Sequence, residues 1–109
     1  MTNGMKIARQ LIAEEREKQT GFLDLGMLGL TELPEELFEL TELRGLNLGF
    51  LYVNEHGELQ GASNILENNA LIEIPADIGA LRKLEALYLS SNPISNLNGL
   101  RRLTALRSL

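Results

Sequence analysis

The stretch that decides the fold runs from Leu23 to Leu40, LDLGMLGLTELPEELFEL. Its leucines follow neither a pure helical spacing nor a pure strand spacing. The opening LDL alternates apolar and polar residues, which predicts a short strand with one buried face. Pro34 then begins PEELFEL, whose leucines share one side of a short helical segment that starts at a position proline favours. The stretch therefore predicts a strand, a turn and a helical return within one unit.

The same unit recurs along the chain. LRGLNLG, which begins at Leu43, repeats the first strand after a shift of 23 residues, and LEALYLSSNPISNLNGLRRL, which begins at Leu84, repeats the unit with a tighter return. A strand, a turn and a helical return that recur at 20–29 residues are typical of the leucine-rich repeat. We predict an α/β solenoid with short parallel strands on its concave face and helical or 3-10 returns that begin at Pro34 and Pro75. The strands are expected near residues 22–25, 45–48 and 86–89.

An insertion interrupts the second repeat. Pro75 follows Pro34 by 41 residues instead of 23, which places 18 extra residues at about 51–68. The segment YVN-EHG-ELQ is polar, and Gly57 suits a turn. We expect a mobile hairpin or loop that leaves the solenoid and lies beside the concave rim.

Two asparagines 23 residues apart, Asn69 and Asn92, stand where strand becomes loop. Backbone groups are left unpaired at that point of each coil, and a buried amide both donates and accepts hydrogen bonds. We predict a structural role for both side chains. Leu28 takes this position in the first repeat, so the series of asparagines is incomplete there.

Residues 1–21 are predicted to form an N-terminal capping helix, and residues 22–109 about three repeats, the last incomplete. The helix is expected over 5–19, with Asn3 as N-cap, Gly21 as stop and a solvated charged end over 14–18. Its apolar stripe consists of Met5, Ala8, Leu11 and Ile12. A membrane-surface helix is the alternative, but its polar face is too acidic for anionic lipid.

Composition narrows the functional class. The chain has 109 residues, no cysteine and a net charge of −5, which predicts one domain without disulfides and argues against nucleic acid as a partner. No apolar run is long enough to cross a membrane, and the N-terminus becomes charged before a signal-peptide core could form. We predict a cytoplasmic protein with no membrane partner.

The candidate chemistry is sparse. His56 lies with Asn54, Glu55 and Glu58 in the insertion, and these four polar residues suit either a metal cluster or, more simply, a hairpin tip. No phosphate-binding loop, HExxH or GxSxG motif is present. We therefore predict no enzyme activity, no catalytic residue, no metal and no cofactor.

The remaining candidate is the concave face, where strand residues between the buried leucines are expected to face outward. The register places Asp24, Asn47 and Tyr88 in one row, and exposed aromatic or Met side chains often anchor protein contacts. In the alternative interpretation Phe22 and Met27 pack under the cap and Phe50 under the insertion. The predicted protein-binding residues are Asp24, Met27, Arg44, Asn47, Phe50, Glu85, Tyr88 and Ser90.

The sequence resembles bacterial leucine-rich repeat proteins, particularly the N-terminal repeat region of Roco-type GTPases. The resemblance is carried by IARQLIAEEREKQTG running into LDLGMLGLTELPEELFELTEL, by the interruption NEHGELQGASN before NALIEIPADIGAL, and by LYLSSNPISNLNGL. It implies the repeat fold and a place in a larger signalling protein. The GTPase domain of that family has no counterpart in these 109 residues, so no GTPase activity is implied.

Two functions stay open: a protein-recognition module with an unidentified protein partner, and a structural segment of a repeat array with no ligand of its own. Leu106 and Leu109 begin a fourth repeat, and their apolar side chains need a cover. We expect that cover to come from further coils of a longer chain, with self-association through this end as the alternative.

Overall fold

Three parallel strands organise the structure, a computed structural model that describes residues 4–54, 56–62, 64 and 66–95. These strands, β1 (Phe22–Asp24), β2 (Gly45–Asn47) and β5 (Ala86–Tyr88), form one sheet in the order β1-β2-β5. Leu23 pairs with Leu46, and Leu46 pairs with Leu87, so the repeat register predicted from the leucines is confirmed. The remaining α-helix and strands are α1 (Gly4–Lys18), β3 (Leu51–Val53) and β4 (Leu59–Gly61).

The two returns that start after prolines are 3-10 helices, at Glu35–Glu39 and Ala76–Ala80. Pro34 and Pro75 precede them in extended conformation, so each proline ends the loop and sets the direction of the first helical turn. The returns and the inner face of the sheet enclose a core that is almost entirely leucine and isoleucine. Its fully buried members include Leu25, Leu37, Leu43, Leu46, Leu48, Ile78, Leu81, Leu84 and Leu87.

Asn69 has the structural role predicted for it. Its Nδ2 donates to the carbonyl oxygens of Leu25 at 2.9 Å and Leu48 at 2.8 Å. Its Oδ1 accepts from the backbone amides of Leu28 at 3.1 Å and Leu30 at 2.8 Å. One amide that is 2% exposed thus satisfies four backbone groups in two successive coils.

Asn92 repeats this arrangement one coil later. Its Oδ1 accepts from the Leu71 amide at 3.0 Å, and its Nδ2 donates to the Leu48 carbonyl oxygen at 2.9 Å. The Leu48 carbonyl therefore accepts from both asparagines. The predicted series of amides is confirmed for both positions.

Helix α1 covers the first coil, close to its predicted bounds. Ala8 and Ile12 are buried, and Gly4 lies so close to the backbone of Leu28 that a Cβ there would overlap its carbonyl group. The predicted N-cap, Asn3, lies outside the described residues. No helix in the described part of the chain is long and apolar enough to cross a membrane.

The end of α1 differs from the prediction in two respects. The helix stops at Lys18, before Gly21, because Gln19 takes the left-handed conformation with φ 50°. Glu15 is also not solvated: it is 8% exposed, and its carboxylate accepts from Thr20 Oγ1 at 2.6 Å and the Gly21 amide at 2.7 Å. Glu15 therefore ties the helix to the start of the first strand.

The predicted fourth repeat, with Leu106 and Leu109, lies outside the described residues, as does the return of the third repeat.

Candidate functional site

The face of the sheet that points away from the leucine core, here called the outer face, carries the predicted row. Asp24 pairs with Asn47, and Asn47 with Tyr88, so this row is confirmed as a structural alignment. A second row on the same face consists of Phe22, Gly45 and Ala86. Gly45 lies under the ring of Phe22, where a Cβ would come within 2.8 Å of the ring.

The insertion is an antiparallel hairpin, as predicted, but it does not lie beside the rim. Strands β3 and β4 pair through Tyr52 and Gln60, and the Tyr52 ring packs on Phe22 with centroids 4.8 Å apart. The Tyr88 ring lies 6.3 Å from Tyr52, and its hydroxyl donates to the Val53 carbonyl oxygen at 3.4 Å. The hairpin thus lies over the outer face, because that face presents two rings to which Tyr52 can add a third.

Ser90 holds the base of the hairpin. Its Oγ accepts from the backbone amides of Phe50 at 3.0 Å and Leu51 at 3.2 Å. The Phe50 carbonyl oxygen accepts from the Ala62 amide at 2.8 Å, which closes the two strands. Ser90, predicted as a partner contact, therefore has its hydroxyl engaged within the chain.

Asn47 lies on the outward-pointing face, as predicted, but it is covered there and is not exposed. The side chain is 0% exposed, donates from Nδ2 to Asp24 Oδ1 at 2.9 Å, and accepts at Oδ1 from the Gly49 amide at 3.0 Å. Asp24 is half-buried and also accepts from the Gly26 amide at 3.0 Å. The centre of the predicted surface is thus covered and internally hydrogen-bonded.

The end of the insertion rejoins the first coil. The Leu66 amide donates to the Met27 carbonyl oxygen at 3.0 Å, and the Gly29 amide donates to the Glu67 carbonyl oxygen at 3.0 Å. Leu28 and Glu67 form a parallel bridge between these bonds. Met27, another predicted contact, is therefore half-buried at this junction, in a left-handed conformation with φ 57°.

The tip of the hairpin is built as a turn. Asn54 Oδ1 accepts from the backbone amides of His56 and Glu58, both at 2.9 Å, and Gly57 has φ 76°. Glu55 lies outside the described residues. Among those described, no three histidine or carboxylate side chains are grouped closely enough to hold a metal ion.

The three other predicted contacts remain accessible to different degrees. Phe50 is 46% exposed at the base of the hairpin. Arg44 is exposed and Glu85 half-buried, and their charged groups lie 3.9 Å apart at the start of the strands. Exposed ion pairs of this kind contribute little to stability.

Sequence reasoning missed a group of exposed apolar side chains in the described part of the chain. Leu51, Val53 and Leu59 are 36%, 41% and 66% exposed. Val53 pairs directly with Leu59, and Leu51 lies two residues from Val53, so all three side chains share the side of the hairpin opposite Tyr52. The sequence LYV contained a signal for this surface. Alternate residues of a strand point to opposite sides, so Tyr52 is expected on one side of the hairpin and the two aliphatic residues on the other.

No protein-family model matches the sequence, and no curated protein matches it. Among solved structures the chain is similar to a leucine-rich repeat protein of Leptospira interrogans. The two share 25% identity with a TM-score of 0.37, over 89% of this chain. The chain spans about a third of that protein's length, 33%.

Tyr52 links the hairpin to the electrostatics of the outer face. Burial of its phenol, together with the negative charge of Asp24, raises the pKa of Tyr52 above its ordinary value of 10.0. The folded state therefore favours the neutral phenol. This group's contribution to the free energy of unfolding is fully present below the ordinary pKa of tyrosine. It is lost as the pH rises through the raised pKa of the folded state.

We expect Tyr52 to ionise at higher pH in the folded chain than in the urea-unfolded chain. The tyrosinate absorbance of the Tyr52→Phe variant, subtracted from that of the unsubstituted chain, isolates this group. Its midpoint should move to lower pH when urea is added. Equal midpoints in the two states would contradict the raised pKa of Tyr52.

Proposed function

We propose that this chain is a non-catalytic protein-recognition module whose contact surface is the outer side of the hairpin. The observation that carries the proposal is the exposure of Leu51, Val53 and Leu59 on one side of a hairpin whose other side is anchored by Tyr52. Contiguous exposed apolar side chains on a fixed element typically mark an interaction site. Phe50 extends this surface at its base.

The edge of the hairpin formed by β4 indicates which kind of partner segment the surface suits. The hydrogen bonds of Ala62 to Phe50 and of Asn54 to Glu58 place the pairing groups of β4 at alternate residues. The amide and carbonyl groups of Leu59 and Gly61 therefore point away from β3. An extended segment of a partner protein can pair with this edge and pack apolar side chains against Leu59 and Val53.

The proposal includes a biological setting. We place the module in a larger bacterial signalling protein of the cytoplasm, as its recognition or sensor segment. This part rests on the resemblance of the helix, the repeats and the interruption to the repeat region of Roco-type GTPases.

The alternative is a structural segment with no ligand of its own. The burial of Asn47 under the hairpin favours it, because a sheet row that the chain itself covers offers nothing to a partner. The two functions make different predictions for the outer side of the hairpin. If the chain is a recognition module, that side binds a partner protein. If the chain is a structural segment, no binding to that side is required.

The test is selection of random displayed peptides on the folded chain, followed by titration of the selected peptides. Leu59→Ser should weaken their binding about tenfold, because a largely exposed leucine would lose its apolar contact in the complex. Leu66→Ser is the matched control, since Leu66 is a leucine outside this surface and is 54% exposed, against 66% for Leu59. Equal affinity for the unsubstituted chain and the Leu59→Ser variant would contradict the hairpin surface as the contact site, and the absence of any enriched peptide would favour the structural segment.

A further inference from the structure

A second surface lies between the loops that lead into the two returns, away from the hairpin. It is a groove of about 420 Å³, a volume within the range of pockets that hold small ligands. Its apolar lining includes Leu33, Phe38 and Ile72. Ile72 is 63% exposed, and the other two side chains are half-buried. The groove thus leaves apolar surface in water that neither coil covers.

Four carboxylates surround this apolar lining, and none of the described residues that line the groove is basic. The four are Glu32, Glu35, Glu73 and Asp77. Two come from each coil, so the negative charge lies on both sides of the groove. A cationic side chain seated over Ile72 would be within reach of both sides.

Several acidic residues outside the groove are paired with basic side chains. Four glutamates outside it each form an ion pair with a basic side chain. These pairs are Arg9–Glu36, Arg16–Glu39, Arg44–Glu85 and Lys83–Glu42. Within the described part of the chain, no side-chain ion pair or hydrogen bond involves the carboxylates of the groove. Among the described residues, no basic side chain neutralises their charge.

The spacing of these carboxylates favours cationic side chains over a bound metal ion. No three acidic or histidine side chains of the described residues are grouped closely enough to coordinate one ion. Carboxylates spread around an apolar lining instead suit several positive charges that flank an apolar group.

We propose that this groove binds a basic segment of another protein, which inserts one apolar side chain between Leu33, Phe38 and Ile72 while its Lys or Arg side chains pair with the surrounding carboxylates. The apolar insertion supplies most of the affinity. The charges supply orientation and speed of association, and they make binding sensitive to salt. The site is separate from the hairpin surface and does not depend on it.

The test uses dye-labelled synthetic peptides in anisotropy titrations with the full chain. The probe is Lys-Arg-Leu-Arg-Lys. Lys-Arg-Ser-Arg-Lys lacks the apolar group, and Glu-Asp-Leu-Asp-Glu reverses the charge. We expect saturable binding of the probe, about tenfold weaker binding of the serine peptide, and none of the acidic peptide. Amide chemical shifts should change over residues 31–38 and 71–77.

Charge-matched variants separate this site from general attraction to an acidic protein. Glu73→Gln with Asp77→Asn should weaken the probe about fivefold, since each exposed pair contributes modestly. Glu14→Gln with Glu17→Gln removes the same charge from an exposed face of α1 and should change binding less than about twofold.

Four results would overturn the proposal: equal loss in the two charge variants, equal binding of the serine peptide, chemical shifts confined to other residues, or loss of binding in Leu59→Ser. The last result would assign the peptide to the hairpin surface. Unchanged affinity of the probe for the Leu59→Ser variant supports the groove, even if the function proposed for the hairpin is wrong.

Discussion

Asn69→Ala is expected to unfold the chain or to lower its free energy of unfolding by about 4 kcal/mol or more. The substitution removes the partner of four backbone groups in the core, and each buried group left unpaired costs about 1–3 kcal/mol. The total free energy of unfolding of a small domain is only about 5–15 kcal/mol. Urea unfolding followed by circular dichroism measures the difference.

Asn68→Ala is the matched control, because Asn68 is the preceding residue and is exposed. It should change the free energy of unfolding by no more than about 0.5 kcal/mol. Similar losses in the two variants would show that the amide of Asn69 does not connect the coils as described.

Gly26→Ala is expected to lower the free energy of unfolding by about 2–3 kcal/mol, at the upper end of the usual cost of overpacking. A Cβ at Gly26 would overlap the carbonyl oxygen of Gly49 and come within 2.6 Å of Asn47 Nδ2. Asn47 lies in β2, and the Gly49 amide donates to the Asn47 side chain, so neither can move away cheaply. Thermal or urea unfolding gives the loss directly.

Gly61→Ala controls for the change of glycine to alanine itself. No heavy atom lies within 4 Å of the position where its Cβ would stand, and its φ is not positive. It should be neutral or stabilise the chain slightly, by less than about 1 kcal/mol. If Gly26→Ala were equally neutral, the close approach of successive coils at this row would be wrong.

The repeated elements could be predicted from the sequence because each is specified by a local pattern that recurs. The leucine shift of 23 residues aligned β1 with β2 and Asp24 with Asn47, and the shift of 41 residues, which includes the insertion, placed β5. The shift of 23 residues also placed Asn69 and Asn92, whose role follows from the backbone groups that a coil leaves unpaired. Gly26 and Gly49 are also 23 residues apart, a signal of close coil contact that sequence reasoning did not use.

The candidate site could be predicted only in part, because it depends on where a non-repeating segment packs. Alternation in β3 distinguishes Tyr52 from its neighbours, but it does not say which surface Tyr52 covers. Asn47 was therefore assigned to the exposed surface, although the outer face that carries it lies beneath the hairpin. Tertiary packing decided its exposure.

The exposure of Glu15 was predicted wrongly for a different reason. Its spacing from Ala8 and Ile12 places it on the buried side of α1, so the helical pattern itself contained the answer. Its charge led to the opposite prediction. The carboxylate is tolerated there because it accepts two short hydrogen bonds from the segment that follows the helix.

The central claim is that the hairpin lies on the outer face of the sheet, with its aliphatic side exposed. The most direct measurement is a nuclear Overhauser spectrum of the aromatic protons. The chain has two tyrosines, so any cross-peak between different tyrosine rings must join Tyr52 and Tyr88. With centroids 6.3 Å apart for that pair and 4.8 Å for Phe22 and Tyr52, we predict cross-peaks for both pairs. Absence of both cross-peaks, in a sample that shows the contact of Phe22 with Gly45, would contradict the account.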